Sequence, residues 1–320
     1  MTDFKSVYRD LCDEVDDIPI FSQAWWLDVV AGEENWNVAI VRRDNKVIAS
    51  MPYVIQKKFG MTLLRQPSLT QTLGPWIKKS DAKYAKSLSQ QKDLMESLID
   101  QLPAYQYFTQ NWHYSQTNWL PFFWKGFKQT TRYTYVINDL TDERALWEEL
   151  QQNIRTDIKK AESRFLITVK EDYSIDEFLE LNKLVFKRQN IGLPYSETLV
   201  RKIDQACAER GCRKIFIAVD EQGRRHAGIY LIWDSNSAYY LMGGGDPELR
   251  NSGATSLCMW KAIRFSSSVT KAFDFEGSMM EPVERFFRGF GAHQTPYFSI
   301  SKVKSKVIDT AFFIRGLKSW

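Results

Sequence analysis

Histidine and cysteine are scarce: three and four among 320 residues. Cys12, Cys207, Cys212 and Cys258 include no CxxC pair, and their spacing suits neither a zinc site nor a disulfide framework. We expect reduced, structural thiols in a cytoplasmic protein. No apolar run reaches the roughly 20 residues that span a bilayer, so no transmembrane segment is expected. The first seventeen residues are acidic and polar, unlike a signal peptide. GxSxG and Walker loops are absent, as are heptad runs and low-complexity linkers. Charge of one sign is also missing. Forty-three basic against 39 acidic residues leave a net charge of +4, which suits an anionic substrate and gives no case for DNA.

Aromatic residues are plentiful, at 14% of the chain. They take part in a phrase that occurs twice. Phe123-Trp124-Lys125-Gly126-Phe127 returns as Phe286-Phe287-Arg288-Gly289-Phe290. Each copy follows a strand-like run, Tyr105–Phe108 or Ala272–Phe275, and precedes another, Tyr133–Ile137 or Tyr297–Ile300. A repeat this long is a duplicated domain rather than a solenoid unit.

Patterning gives the elements. A helix is expected from Phe21 to Val30 with Ser22 as N-cap. Val38–Val41 and Lys46–Ile55 read as strands around the turn Asp44-Asn45. Tyr84–Leu102 is helical, ended by Pro103. The second half repeats the order: strands at 214–220, 227–233 and 239–242, the last interrupted by Gly243-Gly244-Gly245, then a helix at 256–265, a strand at 272–275 and a helix ending near Gly291. A charged helical bridge of residues 141–210 joins the halves, its first helix reading from Ala145 to Phe165.

These residues resemble the FemABX-like branch of the GNAT acyltransferase superfamily. The resemblance is carried by Asn153-Ile154-Arg155 through Lys159-Lys160-Ala161, by Phe273-Asp274-Phe275-Glu276-Gly277, by Phe286 to Gly291, and by Phe21-Ser22 to Trp25-Trp26. It covers nearly the whole chain. It implies an α/β (α+β) fold of two tandem GNAT-like domains, 1–140 and 141–320, each a mixed, mostly antiparallel sheet flanked by helices. Two features depart from the branch: there is no coiled-coil arm, and Phe287 stands where a lysine is usual, with Arg288 beside it.

The resemblance also implies a site. GNAT domains hold a cofactor pyrophosphate on backbone N–H groups at a helix start. The superfamily pattern Gln/Arg-x-x-Gly-x-Gly/Ala aligns with Arg250, Asn251, Ser252, Gly253, Ala254 and Thr255, departing only at the threonine. Leu241, Met242 and Gly243 occupy the strand end where the family's sheet splays towards the acyl carbonyl. In the first half, Gly74-Pro75-Trp76-Ile77-Lys78-Lys79 fills the equivalent place, and its proline removes a backbone donor.

Transfer to an amine needs a base and a donor for the leaving group. Asp274 and Glu276 alternate on one strand and so share a face, with Phe273 and Phe275 able to bury the aspartate; the competing reading makes one of them a cap or a partner of Arg285 or Arg288. Tyr297 is a candidate acid. Arg155, Lys159 and Arg188 are candidates for reading a phosphate or carboxylate on the acceptor, and His113 is the best placed of the three histidines. No metal is implied. The expected function is transfer of an acyl group from acetyl-CoA or another acyl-CoA to an amine of a sugar, nucleotide-sugar or cell-envelope precursor. The alternatives are a peptidoglycan-type transferase using aminoacyl-tRNA, and a non-catalytic GNAT-like module.

Overall fold

The computed structural model describes residues 3–314 other than 172, 189 and 278, and the side chains as far as residue 311. The elements in chain order are α1 (Phe4–Glu14), α2 (Ala24–Ala31), β1 (Trp36–Arg43), β2 (Lys46–Lys58), β3 (Met61–Leu64), β4 (Trp76–Ile77), α3 (Tyr84–Asp100), β5 (Tyr107–Asn111), α4 (Leu120–Trp124) and β6 (Lys128–Ile137). Then follow α5 (Glu143–Glu149), α6 (Gln152–Ser163), β7 (Thr168–Lys170), α7 (Ile175–Arg188), α8 (Glu197–Glu209), β8 (Arg213–Val219), β9 (Arg225–Trp233), β10 (Ser237–Gly245), α9 (Ala254–Ser266), β11 (Ala272–Asp274), α10 (Glu281–Arg288), β12 (His293–Val303) and α11 (Lys306–Ile314).

Two units divide the chain. One holds Met1–Arg132 with Pro296–Trp320, the other Tyr133–Thr295. The boundaries fall inside β6 and β12 rather than at residue 140 as expected. Strand pairing gives the reason. The later part of β12 runs antiparallel to β5, Ser299 facing Asn111, and the last residues of β6 run antiparallel to β11, Val136 facing Asp274. The final strand of each sequence half therefore adds its hydrogen bonds to the sheet built by the other half.

Within each unit the same plan appears. In the first, β1, β2 and β3 form an antiparallel meander, α3 follows, and β5 returns parallel to β3. In the second, β8, β9 and β10 form the meander, α9 follows, and β11 returns parallel to β10. The β1–β2 hairpin closes on Asp44 (φ 50°) and Asn45 (φ 61°), the paired left-handed residues that suit a two-residue turn. The second unit's helices carry clear starts. Asp142 accepts from the N–H groups of Arg144 and Ala145, Ser196 caps Leu199, and Ser174 and Glu177 cap each other reciprocally ahead of α7.

Several expectations are corrected. Ser22 caps no α-helix: Ile20–Ser22 form a 3-10 turn, and α2 starts at Ala24 without a side-chain cap. The bridge helix expected at 145–165 breaks into α5 and α6 because Leu150 is extended (ψ 135°). Gly243 to Gly245 continue β10 instead of interrupting it. Gly74 and Pro75 lead into β4, a two-residue strand, Trp76-Ile77, paired with β2. The duplicated phrase also packs differently in its two copies. Phe127 and Phe290 are both buried, yet Trp124 is 55% exposed where the aligned Phe287 is 4% exposed.

Each unit has its own apolar core. In the first, Trp112, Phe108, Phe122 and Phe127 pack with Met95 and Leu98 of α3. In the second, α6, α9 and α10 bring Ile154, Ile158, Met259, Ile263 and Phe287 to one face of the sheet, with Phe273 and Phe275.

Candidate active site

The second unit's sheet opens at one place. β10 and β11 pair in parallel over three residues only, Ser237–Tyr239 with Ala272–Asp274. β11 then ends, while β10 runs on to Gly245 with a register shift on β9 between Tyr240 and Met242. The sheet forks here, and the β10 edge from Tyr240 to Gly245 has no β11 partner. Leu241 and Met242 are buried side chains, so they offer a ligand their backbone. The glycines are explained by packing. A Cβ on Gly244 would lie 2.8 Å from the backbone nitrogen of Asn182 on α7, and one on Gly243 would lie 1.8 Å from the Tyr240 hydroxyl. Asn182, itself buried, donates to the Gly243 carbonyl at 2.6 Å and accepts from the Tyr195 hydroxyl at 3.0 Å. Sequence patterning missed this asparagine, because a polar residue in an amphipathic helix carries no sign that it faces a strand.

Asp274 stands in the fork as the last residue of β11, and is 4% exposed. Its Oδ1 accepts from the Thr134 hydroxyl on β6 and from the Glu276 N–H at 2.8 Å. Burial pushes its pKa up to about 6, against the pull of those two hydrogen bonds. Glu276 is not on the strand. It takes a left-handed conformation (φ 56°), followed by Gly277 (φ 68°), where an added Cβ would lie 2.1 Å from the Tyr133 carbonyl oxygen. The alternation argument for a shared face therefore fails; the two carboxyl groups are neighbours through a tight turn. Burial and the nearby Asp274 charge push the Glu276 pKa well above the carboxylate range. Of the arginines considered as partners, Arg288 pairs with Glu284 at 3.2 Å.

The Arg250–Thr255 stretch lies between strand and helix, as expected. Arg250–Ser252 form a 3-10 turn, Gly253 is left-handed (φ 81°), and α9 starts at Ala254 without a side-chain cap on Gly253. Arg250, Asn251 and Thr255 are exposed, whereas Ser252, Gly253 and Ala254 are buried. Gly253 is needed for packing: its Cβ would lie 2.2 Å from the Asp157 carbonyl oxygen on α6. A buried polar chain braces the loop from behind. Ser252 Oγ meets His226 Nδ1 at 3.0 Å and accepts from the Ala254 N–H at 3.3 Å, and His226 Nε2 meets Asp220 Oδ2 at 3.1 Å. Burial acts to raise the Asp220 pKa, but hydrogen bonds from His226 and Arg224 outweigh it and hold the carboxyl below its usual range. Nothing in the spacing of Asp220, His226 and Ser252 announced this chain.

The other candidates are dispersed. The Arg155 guanidinium donates to the carbonyl of Glu148 at 2.9 Å and to Gln152 Oε1 at 3.2 Å, so it closes the α5 end. Lys159 and Arg188 are exposed on α6 and α7. His113 belongs to the first unit; its Nδ1 lies 2.8 Å from Ser115 Oγ, and burial pushes its pKa down to about 4. Tyr297 also belongs to the first unit, where its buried hydroxyl accepts from Gln71 at 3.4 Å. Among the described residues no group of histidine, cysteine and carboxylate side chains could hold a metal ion. No described helix is long and apolar enough to cross a membrane.

The fold has counterparts among known proteins. Residues 149–278 match the family model described as acetyltransferase (GNAT) domain. The solved structure of FemX is similar over 97% of this chain and 98% of that one, with 13% identity and a TM-score of 0.69. The chain has a FemABX-like GNAT fold. L-PGS from Bacillus licheniformis is similar over 93% of each chain (10% identity, TM-score 0.54). A tandem GNAT protein from the clavulanic acid biosynthesis pathway is similar over 88% of this chain and 94% of that one (10% identity, TM-score 0.51). No curated protein matches the chain in sequence. Within the GNAT domain, the fork and the α9 start are the two features that bear on cofactor fit. The β10 edge beyond β11 suits an extended amide arm, and the start of α9, where Gly253 supplies no capping side chain, lies beside exposed Arg250, Asn251 and Thr255 and suits phosphate.

Proposed function

We propose that this chain transfers an acyl group from acyl-CoA to an amine of a sugar, nucleotide-sugar or cell-envelope precursor. The observation that carries this reading is Asp274: a buried carboxyl at the sheet fork, poised near pH 6. A base works best when its pKa lies near the working pH, and an amine must shed a proton as it attacks. Asp274 takes that proton. Thr134 and the Glu276 N–H hold its Oδ1 in place and stabilise the ionised form between turnovers. Glu276, kept neutral by burial and by the charge of Asp274, has an O–H to donate near the reacting group.

The first-turn N–H groups of α9, with Arg250, Asn251 and Thr255, would hold the cofactor phosphates, and the β10 backbone at Leu241 to Gly243 would hold its arm. Bound there, CoA supplies an activated thioester. The His226–Ser252 contact keeps the loop in its binding shape. Arg155 has a structural part in this reading; Lys159 and Arg188 remain candidates for an anionic acceptor.

One observation favours a second donor. The α6 backbone occupies the space at Gly253, so that glycine is explained without a phosphate. A charged transfer RNA would then bring the acyl group. The experiment is thermal unfolding with acetyl-CoA and, separately, with aminoacyl-tRNA, followed by mass-spectrometric detection of acyl transfer to amino sugars. Stabilisation by acetyl-CoA with a shifted product mass supports the first reading. Stabilisation by charged tRNA alone replaces it with the second, and a response to neither leaves a non-catalytic module.

A further inference from the structure

The first unit carries a surface that acyl transfer does not use. In α4, Leu120, Phe123 and Trp124 sit at i, i+3 and i+4 and so share one helix face. That face looks outward: the three are 49%, 55% and 55% exposed, while Pro121 and Phe122 of the same helix are buried. An outward apolar face on so short a helix adds nothing to the core and marks a contact surface. The chain continues at once into Lys125, Gly126 and Lys128. Gly126 and Lys128 line a groove of about 210 Å³ with Ser301 to Lys306 and Asp309. Lys128, Lys302, Lys304 and Lys306 bring four positive charges to it, and Asp309 is the one acid among the lining residues.

The lysines are held in place. Lys302 Nζ donates to the Lys125 carbonyl and lies 4.9 Å from the Phe127 ring centre, and Lys304 Nζ lies 4.0 Å from that of Tyr105. Crowding of like charges is visible in Lys302, whose pKa is lowered by burial first and then by Lys304 and Lys125. Just past Lys306, Val307 is 70% exposed. Lysines beside outward aromatic and aliphatic residues match the region between lipid headgroups and acyl chains. There the rings and Leu120 enter the apolar layer, and the ammonium groups meet lipid phosphates.

We propose that this surface docks the protein on an anionic lipid leaflet. The chemistry favours lipid over nucleic acid. The groove's positive charges are all lysine, whose point charge suits a diffuse headgroup layer, without the arginine forks that read nucleic-acid phosphates.

The test is cosedimentation of the full-length protein with vesicles of phosphatidylcholine alone and of phosphatidylcholine mixed with phosphatidylglycerol. Binding is expected only to the mixed vesicles, and to weaken as salt is raised. Each lysine removed should lower partitioning about five-fold, so Lys304→Gln with Lys306→Gln should lower it roughly 25-fold. Phe123→Ser with Trp124→Ser should abolish retention at moderate salt, and all four exposed sites should leave the circular dichroism spectrum unchanged. No binding to mixed vesicles, equal binding to neutral ones, or binding undiminished in either variant overturns the proposal. So does capture of transfer RNA by the same residues without vesicle binding.

Discussion

The carboxylate of Asp274 accepts a hydrogen bond from the N–H of Glu276, two residues ahead, at 2.8 Å. That bond turns the chain out of β11 through two left-handed residues and brings a second carboxyl beside the first. It makes one aspartate serve both the turn and the proposed chemistry. Local aspartate-to-backbone bonds of this kind are common in turns; here the bond is made by a group buried enough to have its pKa raised.

Asp274→Asn separates the two parts. The amide oxygen still accepts from Thr134 and Glu276, so the turn survives, but the base is gone. Acyl transfer should fall by 10²–10⁴-fold, roughly the range of a general base. The activity of the unaltered enzyme should rise with pH through a midpoint near 6. A pH–rate profile checks both.

The same group gives a stability prediction with the opposite sign to a salt-bridged carboxylate. Its folded pKa of about 6 lies above its ordinary 3.8, so the folded state holds the proton longer than the unfolded chain. The stabilising share is complete below about pH 4 and lost as the pH rises through 6, a change of about 3 kcal/mol. Urea unfolding at pH 4 and pH 7 should show Asp274→Asn gaining on the unaltered protein between those values. An unchanged difference would show that Asp274 ionises normally.

Gly253→Ala should destabilise without any ligand present. Its Cβ would meet the Asp157 carbonyl at 2.2 Å, and φ 81° adds the left-handed penalty of roughly 1–2 kcal/mol. A fall in the melting temperature of the free protein is expected. Exposed Arg250 provides the cleaner ligand test: Arg250→Ala should weaken acetyl-CoA binding several-fold and leave the melting temperature of the free protein alone.

His226→Phe should cost about 1–3 kcal/mol, because it removes two buried hydrogen bonds at once, leaving Ser252 Oγ with the Ala254 N–H alone and Asp220 with Arg224 and the backbone. It should also weaken acetyl-CoA binding through loss of loop shape. In the unaltered protein, the depressed Asp220 pKa contributes stability above the ordinary carboxylate range, lost as the pH falls below it. Thermal melts at acidic and neutral pH, with isothermal titration of acetyl-CoA, measure these effects.

Much of this protein was legible in its residue order. Period-two and helical spacing placed β8, β9 and α9 within a residue or two, because burial of one face is a local pattern. The repeated phrase disclosed the duplication, and the place of Arg250–Thr255 between a strand and a helix was visible from the residues. Tertiary structure alone decided the rest. Which sheet receives β6 and β12 depends on hydrogen bonds between distant segments, and strand patterning does not name a partner. Asn182 reached β10, Arg155 closed α5, and His226 joined Asp220 to Ser252 because folding brought separate elements within bonding distance. The Asp274 pKa likewise follows from burial in the fork, a property of the packed core that its two flanking phenylalanines only foreshadowed.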